Sequence, residues 1–172
     1  MFPEFFEMAK RTRRALIAKV QVRWMIRRDM PRVLSIDTAA ACDPFWTEED
    51  FLECLRKRNC IGMVATTSKV TQGADIAHIR GFMVYELNKT SLRILRFAVD
   101  PAWEGLKVGT AMIEKLKMKL SQQRRSTILC DVPERSLEMQ LFLRAVGFRA
   151  AKVERADDGD VYTMRYRAKA EC

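Results

Sequence analysis

The stretch from Asp100 to Ala111 has the residue types of an anion-binding loop. It follows a β-branched and aromatic run, Leu92–Val99, and Gly105 and Gly109 bracket a short connection. A loop that opens a helix leaves several backbone N–H groups unpaired and points the positive end of the helix dipole outward. The pattern therefore predicts a site for an anion such as a pyrophosphate. The apolar residues that recur at helical spacing after the loop are Val108, Met112, Ile113, Leu116 and Leu120.

The cysteines and the histidine do not form a metal-binding pattern. There are five cysteines without a C-x-x-C pair, and His78 is the one histidine. Zinc sites are built from closely spaced cysteine and histidine ligands, so no metal is expected. The thiols are expected to be reduced and mostly buried in the core. The cysteines are Cys42, Cys54, Cys60, Cys130 and Cys172.

Hydrophobic periodicity and turn residues predict seven strands and four helices. The predicted strands are Val20–Ile26, Cys60–Thr67, Ile76–Leu87, Leu92–Val99, Ser126–Val132, Phe148–Arg155 and Val161–Arg167. The predicted helices are Arg27–Thr38, one capped by Thr47 with Asp50, the one that begins near Val108, and Pro133–Gly147. The predicted loops include Asp43–Trp46, Ser68–Asp75 and Ser121–Arg125.

The order of these elements predicts a mixed α/β sheet in one domain. Three strands joined by short turns, between Cys60 and Val99, form an antiparallel meander. Strand, helix and strand then alternate. Ser126–Val132 should therefore run parallel to Leu92–Val99 through a right-handed crossover.

The run F-A-V-D-P-x-W-x-G-x-x-V-G-x-A-M, which begins at Phe97, resembles the coenzyme A pyrophosphate motif of the GNAT acyl-CoA N-acyltransferases. Within that family the chain is most similar to the RimI-type protein N-terminal acetyltransferases. The resemblance implies the GNAT fold, a mixed, mostly antiparallel sheet flanked by helices, with one parallel strand pair splayed around the cofactor. Two signature positions depart from the motif, since Glu104 replaces Arg or Gln and Lys107 replaces the first glycine, while Gly109 keeps the second.

The resemblance implies that the chain binds acetyl-CoA. Backbone contacts to the acyl carbonyl would come from Phe97, Ala98 and Val99, and Ser136 stands where the family has a cofactor-contacting asparagine. A lysine at position 107 is expected to be tolerated if the backbone there is already helical, because only a positive φ demands glycine. The residues expected to cradle the pyrophosphate are Gly105, Leu106, Lys107, Val108, Gly109 and Thr110.

Two further segments resemble the family's catalytic motifs. C-D-V-P-E-R-S resembles L-E-V-R-x-S-N and places Asp131 at the general base, which acts on the amine through water. The alternative is a solvated aspartate at a strand end. L-F-L-R-A-V-G-F resembles L-Y-x-x-x-G-F and places Leu143 where the family has its general-acid tyrosine. Leucine cannot donate a proton, so either water protonates the thiolate, or it leaves as the thiolate, or another tyrosine acts instead. The candidate tyrosines are Tyr162 and Tyr85, with Tyr162 assigned as catalytic.

Trp46 and Tyr85 are the predicted acceptor-binding residues. In the family an aromatic-rich segment walls the acceptor's entrance, and Trp46 falls in that segment; it could equally be a hydrophobic staple for the helix that follows. Tyr85 lies near the end of its strand, in a region that faces the acceptor in the family; the alternative, which the residue pattern favours, is a sheet tyrosine with its hydroxyl at the edge. The resemblance implies a protein or peptide N-terminus as the acceptor, including a ribosomal one.

The chain is divided into a basic N-terminal extension at 1–19, the acetyltransferase domain at 20–167 and a tail at 168–172. No apolar run reaches the ~18–20 residues of a membrane span, and no signal-peptide pattern is present. We therefore expect a cytoplasmic protein without a membrane partner, either a monomer or a dimer.

The net charge of +9 leaves two other functions open. The charge fits either solvated lysine and arginine on helix faces or a phosphate-bearing partner such as nucleic acid. One alternative to an enzyme is therefore a nucleic-acid- or ribosome-binding protein that uses Lys10–Arg14 and Arg124–Arg125. The other is a catalytically degenerate GNAT-fold module that binds acyl-CoA or another protein, which the changed motif positions favour.

Overall fold

The computed structural model describes residues 20–42, 44–71, 74–122 and 124–169. The N-terminal extension at 1–19, Asp43 and the last three residues of the predicted tail lie outside this part of the chain. The strands are β1 (Val20–Trp24), β2 (Cys60–Thr71), β3 (Ala74–Leu87), β4 (Ser91–Val99), β5 (Thr127–Pro133), β6 (Arg149–Glu154) and β7 (Val161–Arg167). The α-helices are α1 (Met30–Ala39), α2 (Glu48–Arg56), α3 (Val108–Gln122) and α4 (Leu137–Ala145).

The strands form one sheet in the order β1-β2-β3-β4-β5-β7-β6. β4 and β5 are parallel, and the other neighbours are antiparallel. α3 connects the two parallel strands, as expected for a crossover. The predicted mixed, mostly antiparallel sheet with one parallel pair is confirmed.

Two apolar clusters pack against opposite faces of this sheet. The larger lies under α3 and α4 and includes Met112 and Leu116, neither of which has exposed surface. The smaller lies under α1 and α2 and includes Val33 and Phe51. β4 contributes side chains to both clusters, so the helices on both faces of the sheet pack against this strand.

The predicted loop at Ser68–Asp75 is wrong. β2 and β3 continue through it as a hairpin, with Ser68 opposite Ala77 and Thr71 opposite Ala74. The segment contains threonine and valine, which are good strand formers once a partner strand supplies the hydrogen bonds. Residues 72 and 73, which include the glycine that suggested a loop, lie outside the described part of the chain.

Two predicted helix starts are also displaced. Pro133 pairs with Val161 and ends β5, so α4 begins at Leu137. The Gln140 side chain donates hydrogen bonds to the carbonyls of Pro133 and Glu134. These carbonyls lie at the turn between β5 and α4, where a neighbouring strand no longer supplies a donor. At the other displaced start, a 3₁₀ turn at Arg27–Asp29 precedes α1.

Candidate active site

The parallel strands β4 and β5 separate halfway along their length. They pair from Ser91 and Thr127 to Ile94 and Cys130. β4 then continues to Val99 and β5 to Pro133 without a parallel register between them. The carboxyl ends of these strands therefore enclose a wedge-shaped gap, which is a common place for a ligand in an open α/β sheet.

A β-bulge shapes the β4 side of the gap. Tyr85 of β3 pairs with Ile94 and Val84 pairs with Arg96, so Leu95 is the extra residue. A bulge bends its strand and re-aims the groups beyond it. Leu95 and Arg96 consequently lie on the same face, the one covered by α1 and α2.

Backbone direction decides which β4 groups face the gap. The Asp100 N–H donates to the Arg80 carbonyl at 2.8 Å, so Asp100 is directed at β3. Successive residues of a strand alternate in direction. The N–H groups of Phe97 and Val99 therefore point toward the gap, and that of Ala98 points toward β3. The expectation that Ala98 donates into the gap does not fit this alternation.

The loop after β4 is held by short local bonds. The Asp100 carboxylate accepts from the Ala102 N–H at 3.0 Å and from Arg32 of α1 at 2.5 Å. A 3₁₀ turn at Pro101–Trp103 follows, and Gly105 has φ = +71°. Leu106 is buried and anchors the loop before α3 begins.

Lys107 adopts a conformation that the sequence analysis did not expect. Its φ is +64°, so the backbone at this position is left-handed, not helical. Left-handed backbone costs a non-glycine residue about 1–2 kcal/mol. The loop thus keeps a glycine-type conformation although the glycine has been replaced, and Lys107 adds a positive charge directly before the open N-terminus of α3.

Lys107→Gly is expected to raise the free energy of unfolding by about 1 kcal/mol, because glycine adopts a positive φ without strain. Urea titration of both proteins would measure the change. Lys107→Ala is the matched control, since it removes the same charge and leaves the strain. A glycine variant no more stable than the alanine variant would contradict this account.

Close packing holds the start of α3 against the gap. A Cβ on Gly109 would lie 3.1 Å from the Phe142 ring and 3.2 Å from the Phe97 ring. Those two rings stack at 5.7 Å with an angle of 14° between their planes. β4, α3 and α4 therefore meet at Gly109. The first N–H groups of α3, those of Val108, Gly109 and Thr110, lie at the open end of the helix.

Asp131 lies on β5 near the point where the strands separate. Its carboxylate forms an ion pair with Arg93 of β4, and the Thr163 hydroxyl donates to its other oxygen at 2.7 Å. The side chain is 46% exposed. Both oxygens have a protein donor, and each keeps a lone pair for water. Asp131 is therefore an oriented, solvent-accessible carboxylate.

Tyr162 lies on the other face of the sheet. It is partly buried against the larger cluster and pairs with Val132 at the gap end of β5. Because Asp131 and Val132 alternate in direction, the carboxylate and the phenol flank the same end of β5 from opposite faces. Leu143 has no exposed surface and belongs to the core, so it cannot supply a proton there. Ser136 precedes α4 without a side-chain cap bond, next to the gap end of β5.

Tyr85 is a core residue and does not line an acceptor surface. It has no exposed surface, and its hydroxyl has no hydrogen-bond partner among the described residues. Burial raises its pKa to about 12. It pairs with Ile94, where β4 and β5 are still joined.

Cys130 is also a buried core residue. Burial raises the pKa of its thiol to about 12, which removes it as a nucleophile.

Trp46 forms the hydrophobic staple considered for it, and its role in acceptor binding stays a prediction. Its ring meets Phe51 edge-on at 5.0 Å, as in a hydrophobic staple, since Thr47 caps α2. It also lines an open groove of about 490 Å³, together with Phe45 and Leu95 of the bulge.

A second groove of about 390 Å³ runs from the end of β5 to the β6–β7 loop. Pro44 lines both grooves, so they adjoin at the gap end of β5. Acidic residues outnumber basic ones along the two, with Asp50, Glu53, Glu134, Asp158 and Asp160 against Lys57 and Arg135.

Sequence reasoning missed the buried ion pair between Arg96 and Asp37. Two hydrogen bonds of 2.7 Å join them, and their side chains are 6% and 1% exposed. Two signals were available in the sequence. Arg96 interrupts an apolar strand, and Asp37 falls on the buried stripe of its helix beside Val33 and Ile36. Arg93 interrupts the same strand, but nothing in the sequence links it or Thr163 to Asp131.

The described residues contain no group of three or more histidine, cysteine or acidic side chains placed to hold a metal ion. Within the same part of the chain, no helix has the length and apolar character to cross a membrane.

Comparisons with known proteins agree with this architecture. The ribosomal-protein-S18-alanine N-acetyltransferase from Escherichia coli superposes with a TM-score of 0.70 at 18% identity, over 90% of this chain and 99% of that one. Ard1 from Thermoplasma volcanium gives 0.72 at 22% identity, over 87% and 98%. A chimeric spermidine N-acetyltransferase from Vibrio cholerae and hSSAT gives 0.66 at 14%, over 87% and 96%. At these identities the likeness shows the fold alone.

A search of curated protein sequences found no match to the chain. The model of the Acetyltransferase (GNAT) family matches residues 20–148, from β1 to the end of α4 and Phe148. This match includes the separated parallel strands, the loop between them and the start of α3. The chain therefore belongs to the GNAT acetyltransferase family.

Proposed function

We propose that this acetyltransferase transfers an acetyl group from acetyl-CoA to the N-terminal α-amine of a protein or peptide. The observation that carries the proposal is the gap between β4 and β5, which opens beside an anion-binding helix start. A thioester held in the gap would have its carbonyl near the N–H groups of Phe97 and Val99. Acetyl-CoA is the donor that the family generally uses.

The loop residues fit a pyrophosphate. The N–H groups of Val108, Gly109 and Thr110 lie at the positive end of α3, and Lys107 adds a cation. Glu104 is an exposed side chain in the same loop and opposes that charge. Close packing at Gly109 leaves no room for a side chain between the helix start and the two phenylalanine rings. Ser136, with its hydroxyl not used as a helix cap, is available to the cofactor.

The chemistry needs a base for the amine and an acid for the leaving sulfur. When bound, acetyl-CoA supplies the acyl carbon to which the amine nitrogen bonds as the C–S bond breaks, and coenzyme A leaves as the thiol. Asp131 accepts the amine's extra proton through a water molecule. Tyr162, on the opposite face of the sheet, would deliver a proton to the sulfur, and the second proton that the nitrogen loses as the amide forms would return through water to the phenolate. Ionised Arg93 and the Thr163 hydroxyl orient Asp131 for this step.

The two acidic grooves supply the acceptor side of the site. They adjoin at Pro44 beside the gap, so an amine that lies in either can reach it. Their excess of carboxylates attracts a protonated amine and any basic residues that follow it. A basic peptide N-terminus is therefore the acceptor that we favour, and one solved structure of similar fold is a ribosomal-protein-S18-alanine N-acetyltransferase. A polyamine has the same charge and is the second candidate.

A calorimetric titration with acetyl-CoA, with coenzyme A alongside, tests the donor site. We expect one saturable site, and we expect Lys107→Glu to raise the Kd about tenfold, since reversing one exposed charge near phosphate changes binding by about 1–1.5 kcal/mol. Lys115→Glu makes the same charge change at an exposed position farther along α3 and should leave the Kd unchanged. Equal effects of the two variants would place the phosphates elsewhere.

Turnover with basic peptides, neutral peptides and spermidine then identifies the acceptor. Transfer to basic peptide N-termini would support the proposal, and transfer to spermidine alone would replace it with the polyamine. A protein that binds acetyl-CoA but acetylates none of them would instead be the non-catalytic module that Glu104 and Leu143 favour.

A further inference from the structure

We propose that Arg96 is a positioning residue that couples the acceptor side of the site to the acyl side. This inference rests on the proposed function. The relevant segment of the acceptor side, called the acceptor wall here, is Pro44, Phe45 and Trp46. The acyl side is the β4 bulge at Leu95 and the gap-facing backbone beyond it.

The geometry of the guanidinium joins the two sides directly. Arg96 is the residue after the bulge, so its backbone belongs to the strand that lines the gap. Its side chain donates to the Pro44 carbonyl at 2.6 Å and to the Cys42 carbonyl at 3.3 Å. Its Cζ lies 5.2 Å from the centre of the Trp46 ring. One side chain therefore contacts both ends of the acceptor wall.

Asp37 fixes the direction of this side chain. Two hydrogen bonds of 2.7 Å from the guanidinium hold it in a bidentate arrangement. The fork of arginine makes this arrangement possible, whereas a lysine would supply one point charge. Because both partners are buried, solvent does not compete for these bonds. The acceptor wall is thus held at a fixed distance from the gap-facing N–H groups of β4.

The position of the acceptor wall matters because both grooves meet there. Pro44 lines both, and Leu95 of the bulge lines the groove that Trp46 lines. A shift of the wall relative to the bulge moves the amine relative to the thioester carbonyl. Misplacement by about 1 Å can slow a reaction about 100-fold. None of the hydrogen bonds of Arg96 described above reaches the loop proposed to hold the pyrophosphate. Changing Arg96 should therefore leave the affinity for acetyl-CoA unchanged.

Arg96→Lys tests the coupling with purified full-length protein. We expect kcat/KM for the acceptor to fall about 10- to 100-fold, with the Kd for acetyl-CoA unchanged within about twofold. Amide hydrogen exchange at Phe45 and Trp46 should become faster. Arg23→Lys is the matched control, because Arg23 forms the same two-bond pair with Asp29 at 2.7 and 2.9 Å, away from the acceptor wall. It should leave the acceptor kinetics at the wild-type value.

Two outcomes would overturn the inference. One is unchanged acceptor kinetics and unchanged exchange at the acceptor wall in Arg96→Lys. The other is a loss of acetyl-CoA affinity by the same factor as acceptor kcat/KM, which would indicate a general structural role. If Arg96→Lys does not fold, Asp37→Asn serves instead, because asparagine keeps the shape and one accepting oxygen but removes the charge and the second hydrogen bond. A wild-type protein that acetylates no amine overturns the proposed function, and the exchange measurement then still decides whether Arg96 holds the wall.

Discussion

Asp37→Leu is expected to lower the free energy of unfolding by about 3–5 kcal/mol, because it leaves the Arg96 guanidinium buried without its carboxylate. The Pro44 and Cys42 carbonyls would still accept hydrogen bonds, but they carry no compensating charge. A domain of this size is stabilised by about 5–15 kcal/mol in total. The variant should therefore retain only part of its stability, which a urea titration would show as a lower midpoint with an unchanged slope.

The double variant Asp37→Leu with Arg96→Met separates the charge from the packing. Replacing both members of a buried pair by apolar residues is often neutral or stabilising. We expect the double variant to recover most of the lost stability and to bind acetyl-CoA. It should still acetylate poorly, since methionine cannot hold the Pro44 carbonyl. An Asp37→Leu protein within about 1 kcal/mol of wild type would contradict the assignment of a strong buried pair.

The sequence predicts best those elements whose capping residues or apolar spacing lie within a few neighbouring positions. Thr47 and Asp50 form the expected capping box, and the apolar stripe of α3 packs in the core as its spacing indicates. The parallel pairing of β4 and β5 follows from the handedness of crossovers. These features depend on neighbours within a few residues, or on a rule that holds for nearly all sheets.

The parts of the site that escaped prediction depend on long-range register. Arg96 and Asp37 are 59 positions apart, and only the fold brings them together. A single bulge at Leu95 changes which β4 side chains face α1, so the strand pattern alone could not assign them. The prediction that Tyr85 binds the acceptor rests on its place near the end of its strand, a region that faces the acceptor in the family it resembles. The sheet instead puts Tyr85 under the joined part of β4 and β5.

The strained backbone at Lys107 also could not be predicted from the sequence. A lysine at position 107 gives no sequence signal of a positive φ, whereas a glycine would have. The conformation is set by what surrounds it: the turn at Pro101–Trp103, buried Leu106 and the packing of Gly109 on the two phenylalanine rings. The family motif therefore predicts the shape of this loop better than its residue types do.

Asp131→Asn is expected to reduce kcat for acetyl transfer at neutral pH by about 10²–10⁴-fold, the usual contribution of general acid–base catalysis. Asparagine keeps the shape and an oxygen that can accept from Thr163 or Arg93, so the fold and the Kd for acetyl-CoA should be retained. Steady-state assays with a peptide acceptor, alongside calorimetry, measure both quantities. The control for loss of charge alone is Asp160→Asn, which removes a negative charge from the nearby groove. This variant should mainly change the KM for the acceptor.

The pH dependence of Asp131→Asn distinguishes proton removal from mere attraction of the amine. An α-amine has a pKa of about 7.7–8.0, so above about pH 9 the acceptor arrives neutral, without an ammonium proton for Asp131 to remove. If Asp131 removes the proton, the deficit of the variant should shrink as the pH rises through this range. If the carboxylate only attracts a cation, the variant's KM should be the affected constant, and kcat should follow the wild-type profile. Unchanged kcat at every pH would make Asp131 a surface partner of Arg93 and would move the proton route to water alone.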